Sequence, residues 1–405
     1  MKRALALAMI ALLAVPATAA VGAPDTVRSE TPAEDTVGTP TAVAATGTGT
    51  NHTSVNRTRL ELPDDPRHGG HGLSLDIGTV IALDDGVLES RYQLAVDRRR
   101  IAGEGIADPL VVRFTDRIES RIDELRTREE TAARAYAENE ISNREFARRL
   151  ALISAEAARL ENQLGSLKAT VDRRETALRI DSLILRLQTF RGPAHGALER
   201  SLRGERSSDV SVAATPQGYV LGLLNRSEGT YYRHAVRFDN RNLAGNVTLG
   251  TPIEGINRVR TLYSETNTDE VFITSARYAN DGRLIQLNVN YPAGPVTMYV
   301  DTATADVFYE ERRLEFERMP RSTVLNETID GVRLVVERTH DNGPTLVRAT
   351  DADTGEPVGV TLAVDGRDVG GTGINGERWF IGAPGAYNLS VSQGDAVFNV
   401  TVPAP

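Results

Sequence analysis

The chain has 405 residues, more than one compact core usually accommodates, and it contains no cysteine, which excludes disulfides, thiolate metal sites and lipid attachment through sulfur. Its 46 basic residues are all arginine except Lys2 and Lys168, and with 55 acidic residues they leave a formal charge of −9. A nucleic-acid partner requires a basic face, so none is expected.

The N-terminus reads Met1-Lys2-Arg3, an apolar run from Ala4 to Val15, then Pro16 and Ala17-Thr18-Ala19. That is the charge, core and small-residue order of a secretory signal peptide, expected over 1–20 with cleavage near Ala19 or Ala20. The apolar run falls short of the roughly 20 residues a bilayer-spanning helix needs, and no later stretch reaches that length, so no transmembrane span is expected in the mature chain. Cleavage would remove Lys2 and Arg3 and take the charge from −9 to −11. Residues 21–72, rich in Thr, Ala, Pro, Gly and acidic side chains, predict a disordered linker that cannot bury enough apolar surface to order itself. Seven N-x-S/T sequons, at Asn51, Asn56, Asn225, Asn246, Asn326, Asn388 and Asn399, exceed the roughly three that chance gives at this composition and are candidate glycosylation sites.

Residues 73–205 predict a helical domain. Pro109 suits a first helical turn, and Phe114, Ile118, Ile122 and Leu125 recur at helical spacing. A stricter seam runs through Phe146, Leu150, Ile153, Ala157, Leu160, Leu164, Leu167, Val171, Arg174 and Leu178 in alternating steps of four and three, which predicts coiled-coil packing. Between the two patterns lies ISNREF, residues 141–146. Its Ser142 reads as a helix N-cap, Glu145 as the return partner of a capping box, and Ile141 with Phe146 as a hydrophobic staple. The first helix then ends near Glu140, and the two predict a long antiparallel hairpin of some 30 to 45 residues per arm.

After Gly204 the period changes. GYVLGLL (218–224) and YYRHAVRF (231–238) predict a strand hairpin. A helix follows from about Pro252 to Ser264, then strands near 270–278, 283–291, 296–301 and 306–311. The segment VFITSARYANDGRLIQLNVNYPAGPVTMYVDTATADVFYEE, with its V-D-x-x-T-x-x-V phrase, resembles the PepSY domains, which implies a small α+β unit over 206–318. From 329 to 405 the alternation is of β type. Here TGEPV, TGINGERWF and APGAYNLSV resemble the carboxypeptidase-regulatory or transthyretin-like β-sandwich family. Gly355, Gly373 and Gly376 would supply its turns, Tyr387, Leu389 and Val391 one inward face, and Trp379 a core position. The fold class expected is therefore a multidomain α and β chain: helical hairpin, small α+β domain, antiparallel β-sandwich. The whole resembles exported haloarchaeal proteins, a likeness that the lysine-poor acidic composition also carries. A GC-rich genome favouring arginine codons accounts equally for the missing lysine.

No G-x-S-x-G, H-E-x-x-H or P-loop pattern occurs, so no catalytic residue, cofactor site or metal site is assigned. Asp64, Asp65, His68 and His71 could hold a transition metal, but their glycine-rich setting reads as linker. Asp351, Asp353 and Glu356 could offer oxygens to calcium, but DADTGEP reads as a β-turn. His340 and Asp341, in THDNGP, read as another turn. The functional expectation is a non-enzymatic, exported, glycosylated scaffold or protein-interaction module with an envelope or extracellular protein partner, its oligomeric state open. The alternative is a regulator or inhibitor of an extracellular peptidase acting through the PepSY-like unit.

Overall fold

The computed structural model describes residues 58–63, 65–73, 76–85, 108–205, 208–263, 266, 268–279 and 281–404. The expectations placed on residues 1–20, Asn51, Asn56 and Asp64 lie outside these.

Four helices lie between residues 108 and 202: α1 (Asp108–Ala137), α2 (Asn143–Lys168), α3 (Arg174–Gln188) and α4 (Pro193–Leu202). The turn between α1 and α2 is built as its residue types dictate. Ser142 caps α2, its Oγ accepting from the Glu145 N–H at 3.2 Å, and Ile141 packs into the same apolar cluster as Phe146. The return half of the box is absent, because the Glu145 carboxylate instead accepts from Arg149 Nε at 2.9 Å.

The expected second arm is two helices rather than one. α2 stops at Lys168, a turn through 169–173 intervenes, and α3 starts afresh at Arg174. No Gly or Pro marks the break. It falls on Thr170-Val171-Asp172, residue types with modest helix propensity. The seam residues from Phe146 to Leu167 are all buried, but their partners change along the helix. Phe146 and Leu150 pack towards strands, whereas Ile153, Ala157, Leu160, Leu164 and Leu167 pack with Ile118, Ile122 and Leu125 of α1 and Ile180, Leu183 and Leu187 of α3. One stripe serving two sets of neighbours is globular helix packing, not a two-stranded coiled-coil seam. Ion pairs flank this cluster, Arg179–Asp116 and Arg186–Glu119 each at 2.6 Å.

An eight-stranded antiparallel sheet takes one strand from before these helices and the rest from after them, in the order β1-β2-β3-β4-β8-β7-β6-β5. Its strands are β1 (Arg67–Leu73), β2 (Ser208–Thr215), β3 (Gly218–Asn225), β4 (Thr230–Arg237), β5 (Phe272–Tyr278), β6 (Leu284–Tyr291), β7 (Gly294–Asp301) and β8 (Asp306–Glu315). The β3–β4 hairpin pairs Gly218 with Arg237 and Asn225 with Thr230. Helix α5 (Pro252–Leu262) opens with a capping box from Thr251 and Glu254. Helices α1, α2 and α4 cover one face of the sheet, where Tyr219, Leu221, Tyr232, Val236 and Tyr309 lie. The other face holds Ala235, Ile285, Leu287, Met298 and Val307 against Val259 and Leu262 of α5.

Two sequence expectations are corrected here. The linker expected over 21–72 does not extend to residue 72, since Leu60 is buried against the sheet and Arg67–Leu73 forms β1, in register with β2 from Arg67↔Ala214 to Leu73↔Ser208. Glycine disfavours strands in isolation, but an edge position on an existing sheet overrides that preference. The four strands of the PepSY-like segment are likewise not a separate sheet, because β8 pairs with β4 from Thr230↔Glu315 to Val236↔Tyr309.

The C-terminal sandwich stacks two four-stranded sheets, β14-β11-β10-β9 and β13-β12-β15-β16. Its strands are β9 (Ser322–Ile329), β10 (Val332–Arg338), β11 (Pro344–Asp351), β12 (Thr361–Val364), β13 (Arg367–Gly371), β14 (Glu377–Ile381), β15 (Tyr387–Gln393) and β16 (Ala396–Val402). It begins with β9, seven residues before the expected boundary at 329. Tyr387, Leu389 and Val391 point into its core as their alternation requires. Trp379 does not. Its ring lies 4.8 Å from that of Phe316, in a cluster with Leu224, Tyr231, Leu314 and Ile381 that joins the sandwich to the large sheet.

Candidate functional site

The β4–β8 pair carries charged or titratable side chains on both faces. Alternation sends Arg233, Glu310 and Arg312 to one side and His234 and Glu311 to the other. On the first side the Glu310 carboxylate accepts from Arg233 at 2.9 Å, from Arg312 Nε at 2.8 Å and from the Leu60 N–H at 3.0 Å. Burial pushes the Glu310 carboxyl up, but Arg312 and Arg233 outweigh it and hold it below the ordinary 4.5. This cluster is a closed ion network that ties the segment before β1 to the sheet.

The second side is different in kind. His234 and Glu311 are register partners, and Nδ1 lies 2.6 Å from Glu311 Oε2. Helix α4 brings His195 over them, its ring centroid 4.4 Å from that of His234 and nearly perpendicular to it. The same helix start supplies the Ala194 N–H, which donates to Glu311 Oε1 at 2.6 Å. A carboxylate at a helix N-terminus satisfies a donor the helix leaves open and meets the positive end of its dipole. Gly192 makes the approach possible, because a Cβ there would sit 2.7 Å from the Glu311 carboxyl. Tyr309 closes the group, donating to the Arg191 carbonyl at 2.5 Å with its ring edge-on to His234.

From the other ring nitrogen of His234 the network continues. Nε2 is 3.0 Å from Tyr219 Oη, which donates to Glu129 Oε1 of α1 at 2.7 Å. Tyr219 has one proton to give. If Glu129 receives it, His234 Nε2–H donates to the Tyr219 oxygen, and a protonated Glu311 donates to the bare Nδ1. If Glu129 is itself protonated, every bond reverses. Either arrangement holds one carboxyl proton between Glu129 and Glu311. Burial pushes both carboxyls up to about 7 and both imidazoles down to about 3, so the rings are neutral. His195, 1% exposed, leaves Nδ1 buried without a hydrogen-bond partner. The three donors of His195, His234 and Glu311 lie within 4.8 Å of one another, the one group of three metal-capable side chains among the described residues. Glu311 and Tyr309 also line a cavity of about 430 Å³ with Arg191, Gly192 and Gln188.

None of these residues was singled out in the sequence. The only signal is phase: in YYRHAVRF, His234 shares its face with Tyr232 and Val236, an imidazole on an apolar stripe. The residues that were weighed lie elsewhere. His68 is an exposed β1 residue, and His71 belongs to the same strand rather than to a loop. Asp65 is exposed. Asp351 Oδ1 accepts from the N–H groups of Asp353 and Thr354 at 3.0 and 2.8 Å, an Asx turn, with Asp353 and Glu356 exposed beside it. Among the sequon asparagines, Asn246, Asn326, Asn388 and Asn399 are exposed. Asn225 is 4% exposed and its Oδ1 takes hydrogen bonds from Ser227 and Glu228, which removes it as an accessible acceptor in the folded chain.

No helix among the described residues is long and apolar enough to cross a membrane. No curated protein and no solved structure matches the chain. Residues 210–320 match a family of unknown function, DUF7094, and residues 323–400 an archaeal fibronectin-III type-like domain. The β-sandwich expected at the C-terminus is present, and the family model it matches is the fibronectin-III type-like one. Residues 1–207, just over half of the 405, match the domain of unknown function DUF7096, and this multidomain archaeal chain belongs to that family.

Proposed function

We propose that the chain is exported to an archaeal cell surface and acts there without catalysis, as a glycosylated scaffold that binds other envelope or extracellular proteins. The observation that carries this reading is the setting of the fibronectin-type sandwich. It is anchored to the eight-stranded sheet through Trp379, Phe316 and Ile381, and it carries three exposed sequon asparagines, Asn326, Asn388 and Asn399, on its strands. A docked module with hydrophilic outer strands suits display and spacing better than turnover. The signal-like N-terminus and the acidic, lysine-poor composition of haloarchaeal exported proteins support the same destination.

The reading is tested by expressing the full chain in a haloarchaeal host, fractionating the cells and mapping glycopeptides. Mature protein beginning near Ala20, recovered from the surface or medium with glycans on the exposed sequons and crosslinked to surface-layer components, is the expected result. An intact Met1 peptide in the cytosol with every sequon bare would overturn it. The peptidase-regulator reading draws less support. It rests on a PepSY-like unit able to act alone, whereas β5–β8 are continuous with β1–β4 in one sheet. Co-purification with a secreted peptidase would bring that alternative forward.

A further inference from the structure

We propose that His195, His234 and Glu311 bind a divalent transition-metal cation, zinc being the best match to two imidazoles and one carboxylate. The donors come from three elements, α4, β4 and β8, so an ion held among them would tie the helix to the middle of the sheet. Their chemistry suits a borderline cation, since imidazole is a poor ligand for magnesium or calcium. Ligand atoms around tetrahedral zinc stand about 3.3 Å apart, so donors within 4.8 Å need only small side-chain rotations to close on an ion.

Four further observations point the same way. His195 Nδ1 is a buried imidazole nitrogen with no hydrogen-bond partner, and buried polar atoms of folded proteins are normally satisfied. The surroundings are those a metal site needs in its outer shell. With Nδ1 of His234 on the ion, Nε2–H donates to Tyr219, whose hydroxyl donates to Glu129, while the Ala194 N–H holds one Glu311 oxygen and leaves the other for the ion. Charge also balances. Glu311 and Glu129 are both buried carboxyl groups, and a 2+ ion offsets two carboxylates. Entry is available through the cavity at Gly192, which Glu311 lines.

The test uses the full chain, stripped by chelator and titrated in high salt with zinc, cobalt(II) or magnesium. One zinc per chain, the visible absorption of four-coordinate cobalt, a raised melting temperature with zinc and no response to magnesium are expected. His195→Ala should bind at least 100-fold more weakly, Tyr219→Phe about 10- to 100-fold more weakly, and the exposed His68→Ala should bind as wild type does. Each variant is first compared by circular dichroism with chelated wild type. If His195→Ala fails to fold, cobalt-shifted imidazole proton signals in the wild type decide instead, and two shifted histidines are expected. Zinc that binds with unchanged affinity to folded His195→Ala, cobalt that shifts no histidine, or zinc that does not bind at micromolar concentration would overturn the proposal.

Discussion

His234 and Glu311 face each other across the β4–β8 pair and join at 2.6 Å on the helix side of the sheet, while their neighbours Arg233 and Glu310 join at 2.9 Å on the opposite side. Two adjacent residues on each strand thus build two polar centres that share a backbone but not a face. One is a closed ion network, the other a string of neutral and shared-proton groups.

The ion network sets an acid limit on stability. The folded Glu310 carboxyl titrates below its ordinary 4.5, so its contribution is present above that value and is lost as pH falls through the lower folded value. Glu310→Ala leaves two buried guanidinium groups without their carboxylate and should cost about 3–5 kcal/mol at neutral pH. Denaturant melts of wild type and variant, repeated from pH 7 down to pH 3, should show the gap between them closing at the acid end.

At the other centre, Gly192 is held to glycine by contact rather than by backbone angle. Gly192→Ala places a methyl against a Glu311 carboxyl fixed by Ala194 and His234, and should destabilise by about 1–3 kcal/mol. Alanine at Gly196, where the same methyl meets nothing within 4 Å, is the matched control and should melt no lower than wild type.

Trp379 holds the sandwich to the sheet. Its partly buried ring packs at a tilt against that of Phe316, and its carbonyl lies 3.5 Å from Arg226 Nη1. Trp379→Ala should cost about 2 kcal/mol, less than a fully buried ring, and loosen the docking while the sandwich core stays folded. Hydrogen exchange should quicken at β2 and β14 and remain slow in β10 and β15.

Ser142→Ala removes the one side-chain cap at the start of α2 and should cost about 0.5–2 kcal/mol. Glu145→Gln should cost less, because its carboxylate is engaged with Arg149 on the surface and not with the cap. Thermal melts of the two single variants separate a half-formed box from a complete one.

Much of this fold was legible because it is decided locally. The Ser142 cap, the β3–β4 hairpin, the α5 start at Pro252 and the Tyr387-Leu389-Val391 face each depend on a few neighbouring residues whose types set the backbone directly. What failed were features fixed by distant partners. β1 is a strand only because β2 offers an edge, and its glycines read locally as linker. The end of α2 at Lys168 carries no breaker residue, and the seam beyond it continues as if unbroken. Trp379 was placed in the wrong core because its partner Phe316 lies outside the sandwich. The candidate site is the clearest case. His195, His234 and Glu311 have no motif spacing, and Glu311 stands 77 residues beyond His234. Their sequence determined only that each sits on an inward stripe of a helix or strand. The pairing of β4 with β8, and the seating of α4 across them, brought three such stripes to one point, and that is a property of long-range packing alone.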